Sequence, residues 1–155
     1  MGVRHVLWRR RELAGTEEMR DVLELIEGEI QYGRGSLPEC FVRAGMQRQT
    51  QMGKLIEETG RKALASPEAA LLDLMEETLG DELGRFLPAT EYHAFLGFAA
   101  PEGYQDERMQ RRALEQSRHR VEALVEKRKE RLVGECRVAS CLGIMGGLFV
   151  ILLLW

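Results

Sequence analysis

Residues 138–155 read VASCLGIMGGLFVILLLW and carry no charged side chain. As an α-helix, a stretch of this length reaches roughly 27 Å, close to the thickness of the hydrocarbon core of a bilayer. Each leucine, isoleucine, valine or phenylalanine in it favours insertion by roughly 0.3–0.6 kcal/mol. The alternative is a buried helix of a soluble domain, but a small domain rarely covers a helix that is apolar on every side. The stretch therefore predicts a transmembrane anchor.

Five basic residues precede the anchor between Lys127 and Arg137. Lysine and arginine are retained on the cytoplasmic side of membranes, so this cluster predicts a cytoplasmic domain before the anchor. The same cations would lie near anionic headgroups, where each contributes about 1 kcal/mol. The alternative is a solvated basic helix face without topological meaning. We divide the chain into a basic N-terminal flank (1–15), a cytoplasmic helical domain (16–137) and the anchor (138–155).

Charge and cysteine spacing argue against several classes of protein. The net charge is −3 and basic residues alternate with acidic ones, which argues against binding to nucleic acid. Cys40, Cys136 and Cys141 have neither metal-ligand spacing nor a disulfide pattern, and they fit a reducing compartment. We expect no cofactor and no metal site.

The first helix is predicted from a helical period of apolar residues. Thr16 would be its N-cap, with Glu17 and Glu18 in the first turn. The glycines of Tyr32-Gly33-Arg34-Gly35 would permit a left-handed cap at its end. The predicted apolar face consists of Met19, Val22, Leu23, Ile26 and Ile30.

Further helices follow, and no strand pattern is convincing. Ser36-Leu37-Pro38-Glu39 predicts a helix start, and other helices are predicted near Met52 to Leu64, from Ser66, and from Pro88 through Phe98. Gly80 and Gly84 would interrupt the helix that starts at Ser66. A charged helix from Asp106 to Arg137 would continue through Gly134 into the anchor, with a thin apolar seam of Met109, Leu114, Val121, Val125 and Leu132. The predicted fold is all-α: an antiparallel helical bundle followed by a long helix that runs into the transmembrane helix.

Motifs for catalysis are missing from the sequence. It contains no Walker loop, nucleophile elbow, paired metal-binding histidines or paired-cysteine zinc site. Glu91, Tyr92 and His93 are adjacent, but neighbours on a helix point in different directions and do not converge. We therefore expect a protein without enzymatic activity and without catalytic residues.

Two features suggest binding between proteins. Ala139, Gly143 and Gly147 recur every four residues in the anchor, and small residues at this spacing let membrane helices approach closely. Glycine is also common in membrane helices without such a role. An acidic face could meet a basic partner or be merely solvated; it consists of Glu17, Glu18, Glu24, Glu27 and Glu29.

Two segments resemble a known family. The sequence IEGEIQYG at 26–33, followed by Leu37 and Glu39, resembles the L-E-x-E-I-x-Y-G block of the stage III sporulation protein AB family. The sequence LGIMGGLFVILLL at 142–154 resembles the L-G-x-x-G-G-L anchor of that family. With the charged helix between them, the resemblance spans nearly the whole chain.

The resemblance implies a non-enzymatic component of the channel-like complex that endospore-forming bacteria build between mother cell and forespore. Its helical domain would be similar to the cytoplasmic domains of inner-membrane platform proteins of type II secretion. The implied partners are the cytoplasmic ATPase of the complex, stage III sporulation protein AA, and the other membrane subunits. The implied location is the mother-cell side of the outer forespore membrane.

The chain departs from the family at its beginning. Family members usually start with a transmembrane helix that runs into an arginine-rich stretch, and here Gly2 to Arg11 resembles only the end of that region. Two expectations stay open: a recorded start that lies too far downstream, or a member with one anchor. The run Arg9 to Arg11 agrees with a cytoplasmic flank.

The leading hypothesis is a membrane-anchored scaffold. Its candidate interaction residues are Glu27, Glu29, Tyr32, Gly33 and Leu37, and charge reversal at the two glutamates is predicted to weaken partner capture. Tyr32 and Gly33 could instead only shape the end of the first helix. The alternatives are an anchored regulator or enzyme with a cryptic site, and a helical tether that self-associates through the seam from Leu114 to Leu132.

Overall fold

A computed structural model describes residues 2–85, 87–99 and 107–154, and this part of the chain contains no strand. Its helices are α1 (Gly2–Tyr32), α2 (Leu37–Met46), α3 (Gln51–Ala65), α4 (Leu71–Gly84), α5 (Ala89–Leu96) and α6 (Glu107–Leu154), with a 3₁₀ turn at Gly97–Ala99 after α5. The all-α prediction and the long last helix are confirmed.

Helices α1 and α6 form an antiparallel pair that carries the bundle. Glu27 pairs with Arg118, and Arg9 at the other end of α1 pairs with Glu135. The predicted apolar face of α1 is buried against the rest of the bundle, with Ile30 only partly buried. The core includes Met19, Val22, Leu23 and Ile26 of α1, Phe41 of α2, Ile56 of α3, Met75 and Leu79 of α4, Phe95 of α5, and Leu114 and Val121 of α6.

The predicted N-cap at Thr16 is wrong, because α1 already begins at Gly2 and runs through this position. Thr16 is fully buried, and its hydroxyl donates to the carbonyl of Glu12 at 2.8 Å. A threonine hydroxyl can be satisfied inside a helix in this way. The boundary predicted between residues 15 and 16 therefore falls within one continuous helix.

Helices α2 and α3 form a tight hairpin with two glycines at its contact. A Cβ atom on Gly45 would lie 2.5 Å from the backbone nitrogen of Glu57, and one on Gly60 would lie 2.8 Å from that of Val42. Only glycine permits two helix backbones to approach this closely. The predicted start at Ser36 is confirmed, since its backbone N–H donates to Glu39 Oε2 at 2.7 Å.

The boundaries of α4 and α5 refine the predicted ones. The start predicted at Ser66 is wrong: α4 begins at Leu71, and before it the backbone N–H of Ala69 donates to the carbonyl of Ser66 at 3.0 Å, which closes a turn. Helix α4 runs through Gly80 and ends at Gly84, so only the second predicted interruption is confirmed. The helix predicted from Pro88 is present as α5 and its 3₁₀ turn.

Helix α6 is continuous from Glu107 to Leu154 and includes Gly134. Of its predicted seam, Leu114, Val121 and Val125 are buried in the bundle, and Leu132 is half-buried. The prediction for Met109 is wrong, because this side chain is 55% exposed near the start of the helix. One helix thus belongs to both the bundle core and the uncharged end of the chain.

Candidate functional site

Glu29 joins α1 to α2 near the end of α1. Its Oε2 accepts from Arg43 Nε at 2.5 Å, and its Oε1 accepts from Gln47 Nε2 at 2.8 Å. The ion pair raises the pKa of Arg43, chiefly through this hydrogen bond. We call Glu29, Arg43 and Gln47 the α1–α2 clasp. Glu29, a predicted interaction residue, therefore already has two partners within the chain.

Gly33 and Gly35 shape the turn that follows α1. The backbone N–H of Gly33 donates to the carbonyl of Glu29 at 2.8 Å, and a Cβ on Gly33 would lie 2.9 Å from Arg43 Nη2. Gly35 has a positive φ of 157°, which disfavours any other residue. The predicted left-handed cap is not found at the end of α1, because Gly35 lies three residues after this helix and directly before Ser36, the N-cap of α2. Gly33 is required for close approach, since a Cβ there would clash with the Glu29 carbonyl oxygen.

The other predicted interaction residues have different surroundings. Tyr32 is 84% exposed at the last position of α1, so it presents its ring to solvent. Leu37 is partly buried against the hydrophobic core. Glu27 lies on the α6 side of α1, where its Oε2 is 2.6 Å from Arg118 Nε. Partner binding by these residues stays a prediction, and Tyr32 has the most accessible side chain among them.

The acidic face of α1 is largely neutralised within the bundle. Glu17 pairs with Lys129 at 3.2 Å, and Glu18 forms an ion pair with Arg48 and accepts from the Thr50 hydroxyl at 2.6 Å. Glu24 is exposed. Most of the predicted acidic face therefore holds helices together.

A polar cluster around Arg128 connects α1, α5 and α6. Arg128 Nη1 donates to Thr16 Oγ1 at 2.6 Å and to the Glu12 carbonyl at 2.9 Å, and Nη2 forms an ion pair with Glu91. Burial raises the pKa of Glu91, and the charge of Arg128 opposes this shift. A cavity of about 280 Å³ lies beside the cluster, bordered by Trp8, Arg9, Lys127 and Arg131 among others.

Sequence reasoning missed the Arg128 cluster because Arg128 and Thr16 are 112 positions apart. Glu91 was considered only with its neighbours Tyr92 and His93, whose rings pack edge to face at 5.6 Å. Within the described ranges, no group of three histidine, cysteine, aspartate or glutamate side chains could hold a metal ion.

The uncharged end of α6 is uncovered. The described residues contain one helix that is long and apolar enough to cross a membrane, and none of its most apolar window is buried. Cβ atoms built on Gly143 and Gly147 would have no atom within 4 Å, so this strip has open space beside it. The side chain of Ala139, the third predicted member, lies outside the described residues.

Comparison with known proteins gives one family. The model of the family described as stage III sporulation protein AB matches residues 4–155. No curated protein matches the chain. No solved structure matches it either.

Proposed function

Because the chain belongs to the stage III sporulation protein AB family, we propose that it is a membrane-anchored scaffold subunit of a sporulation channel complex. In this proposal it has no enzymatic activity and docks the cytoplasmic ATPase of the complex, stage III sporulation protein AA. One observation carries the proposal: α6 supplies Leu114, Val121 and Val125 to the bundle core and then continues, unbroken, into an uncovered apolar end. A load on the bundle would therefore pass directly to the membrane.

The proposed docking surface is the far end of α1 around Tyr32. Arg9 on the same helix contacts Glu135, near the start of the uncharged stretch, and Tyr32 is 23 positions after Arg9. At a rise of about 1.5 Å per residue, Tyr32 lies roughly 35 Å farther from the membrane than Arg9. A soluble ATPase could reach this position. Exposed tyrosines supply large contact areas at interfaces at a low cost in conformational entropy.

The α1–α2 clasp holds the proposed docking surface in position. Glu29 lies one helical turn before Tyr32 and is bound to α2 through Arg43 and Gln47. This contact fixes the end of α1 against α2, so the Tyr32 backbone is held in one place. We propose that Tyr32 contacts the partner, whereas Glu29 and Gly33 position it.

A capture experiment tests the docking role. The full chain is reconstituted in lipid nanodiscs and binding of purified stage III sporulation protein AA is measured. We expect Tyr32→Ala to weaken binding about tenfold or more, as for a residue central to an interface. The control is Met46→Ala at the end of α2, which removes another exposed side chain (62% exposed) away from the end of α1. Absence of binding to the unaltered chain would refute docking, and equal binding by Tyr32→Ala would refute this surface.

The proposed location is the cell membrane, with the bundle on the cytoplasmic, mother-cell side of the outer forespore membrane. Lys127, Lys129, Arg131 and Arg137 precede the uncharged end of α6 and support this orientation. The test is alkaline carbonate extraction of membranes, followed by protease treatment of sealed vesicles. Release by carbonate would refute the anchor, and protection of the bundle in right-side-out vesicles is expected only for a cytoplasmic domain.

Self-association through the α6 seam is less well supported. Leu114, Val121 and Val125 are already buried in the bundle, so a second copy could reach them only if the bundle opened. A cryptic enzyme site also lacks support: in the described ranges the buried carboxylate of Glu91 forms an ion pair with Arg128.

A further inference from the structure

A shallow groove lies between α1 and α6 where the charged part of α6 gives way to its uncharged end. The groove has a volume of about 440 Å³ and a mainly apolar surface. It is bordered by Arg10 of α1 and by Leu132, Val133, Arg137, Ser140 and Cys141 of α6. An arginine from each helix thus lines a mainly apolar groove.

The ion pair between Arg9 and Glu135 shows where this groove lies along α6. Its 2.8 Å contact places the beginning of α1 beside the segment of α6 just before Val138. Leu7 and Trp8 are 54% and 52% exposed at the same level. Tryptophan beside arginine is typical of the interface between hydrocarbon and headgroups. If α6 crosses a membrane from Val138 onward, the groove opens at the headgroup layer.

We propose that this groove binds one anionic phospholipid. Arg10 and Arg137 would hold the phosphate between them, and an acyl chain would follow Cys141 toward the uncovered end of α6. Arginine suits this role because its planar guanidinium donates two parallel hydrogen bonds to a phosphate.

Charge complementarity selects this occupant. Two neighbouring arginines are already paired: Arg9 of α1 with Glu135, and Arg128 of α6 with Glu91. In contrast, Arg10 and Arg137 form no ion pair with any carboxylate in the part of the chain that the structure describes. Both side chains are exposed, so their charges are free to meet a lipid phosphate. The proposal rests on the membrane insertion of α6 that we proposed above.

The test is lipid retention by the full chain. The protein is reconstituted in nanodiscs of phosphatidylcholine and phosphatidylglycerol, and bound lipid is counted by native mass spectrometry. At about fivefold preference per arginine near an anionic headgroup, the unaltered chain should prefer phosphatidylglycerol by up to about 25-fold. The double variant Arg10→Gln/Arg137→Gln should lose this preference. The matched control Arg34→Gln/Arg111→Gln removes the same charge at two exposed positions far from the groove and should keep it.

Each outcome bears on a different part of the proposal. Equal retention by the groove variant and the unaltered chain would overturn the site. Displacement of the lipid by soluble glycerol phosphate would overturn a lipid as the occupant, and lack of displacement would support it. Carbonate extraction of membranes that carry the full chain is performed first: a chain that is released refutes the anchor itself, whereas a chain that stays in the membrane but shows no lipid preference in nanodiscs refutes only the lipid site.

Discussion

Arg128 on α6 donates a hydrogen bond through Nη1 to the hydroxyl of Thr16 on α1 at 2.6 Å. Only 13% of the Arg128 side chain is exposed; it also donates to the Glu12 carbonyl and forms ion pairs with the carboxylates of Glu91 and Glu12. A buried cation is tolerated when its donors are satisfied by oxygen atoms, and it is costly when they are not. This cluster therefore fixes the rotation of α6 relative to α1 and α5.

Loss of the Arg128 charge should destabilise the bundle strongly. We expect Arg128→Leu to lower the free energy of unfolding by about 3 kcal/mol, because Glu91 loses its counterion in a mostly buried site. Urea unfolding of the full chain in detergent micelles measures this change. Arg120→Leu, at an exposed position of the same helix, is the control and should change it by less than about 0.5 kcal/mol. Equal effects of the two substitutions would contradict a stabilising cluster.

Glu91 should make stability depend on pH. Burial raises its pKa above the ordinary value of 4.5, so the folded chain binds this proton more tightly than the unfolded chain. The Glu91 contribution therefore lowers the free energy of unfolding as the pH rises through the window above 4.5. Between about pH 4 and about pH 7, the unaltered chain should lose stability relative to Glu91→Gln. Asp81→Asn, at an exposed position of α4, corrects for the general effect of removing a carboxyl group. A relative stability that rises with pH would contradict this sign.

The glycines between α2 and α3 should not tolerate alanine. A Cβ on Gly45 would lie 2.6 Å from the Gly53 carbonyl oxygen, and one on Gly60 would lie 2.7 Å from that of Pro38. We expect each alanine substitution to lower the free energy of unfolding by about 1–3 kcal/mol, since backbone must move. Gly28→Ala in α1 is the matched control: no atom lies within 4 Å, so it should stabilise by about 0.5–1 kcal/mol. Thermal unfolding of the three variants measures these changes. Destabilisation at Gly45 and Gly60 with stabilisation at Gly28 would show steric crowding between α2 and α3, whereas stabilisation at all three positions would show helix propensity alone.

The helices could be predicted because their signals are local. Met19, Val22, Leu23 and Ile26 repeat at the helical period, and all four are buried. The uncharged run from Val138 could likewise be predicted without knowledge of the rest of the fold. Because a small domain rarely covers a helix that is apolar on every side, we expected this run to lie outside the bundle, and none of its most apolar window is buried.

The errors arose where tertiary contacts override local signals. Thr16 followed by two glutamates matches a helix start, but its hydroxyl is met by Glu12 and Arg128, so the helix continues. Gly45 and Gly60 carry no local signal for a close helix contact. The clasp between Glu29 and Arg43 joins residues 14 positions apart on different helices, so the acidic face was predicted without its partners.

A charge swap should separate positioning from direct contact at Glu29. Glu29→Lys places a cation beside Arg43, and we expect it to cost about 1 kcal/mol of stability and to weaken capture of the ATPase. Adding Arg43→Glu should restore both, because the ion pair re-forms with reversed polarity. The paired changes Glu27→Lys and Arg118→Glu repeat the test at the α6 side. Restored stability with capture still lost would show that the glutamate itself contacts the partner.

The strip of Gly143 and Gly147 should be required for contact with another membrane helix. Cβ atoms at both positions would meet nothing within 4 Å, so leucine is accommodated in the isolated chain and would clash only with a closely packed neighbour. We expect Gly143→Leu/Gly147→Leu to reduce co-purification of the other membrane subunits about tenfold, which corresponds to about 1.4 kcal/mol of helix association. The control is Met145→Trp, which adds bulk two residues from each of the two glycines and therefore on roughly the opposite face of α6. If the control reduces co-purification as much as the double variant, α6 has no preferred packing face, and the small residues serve no partner.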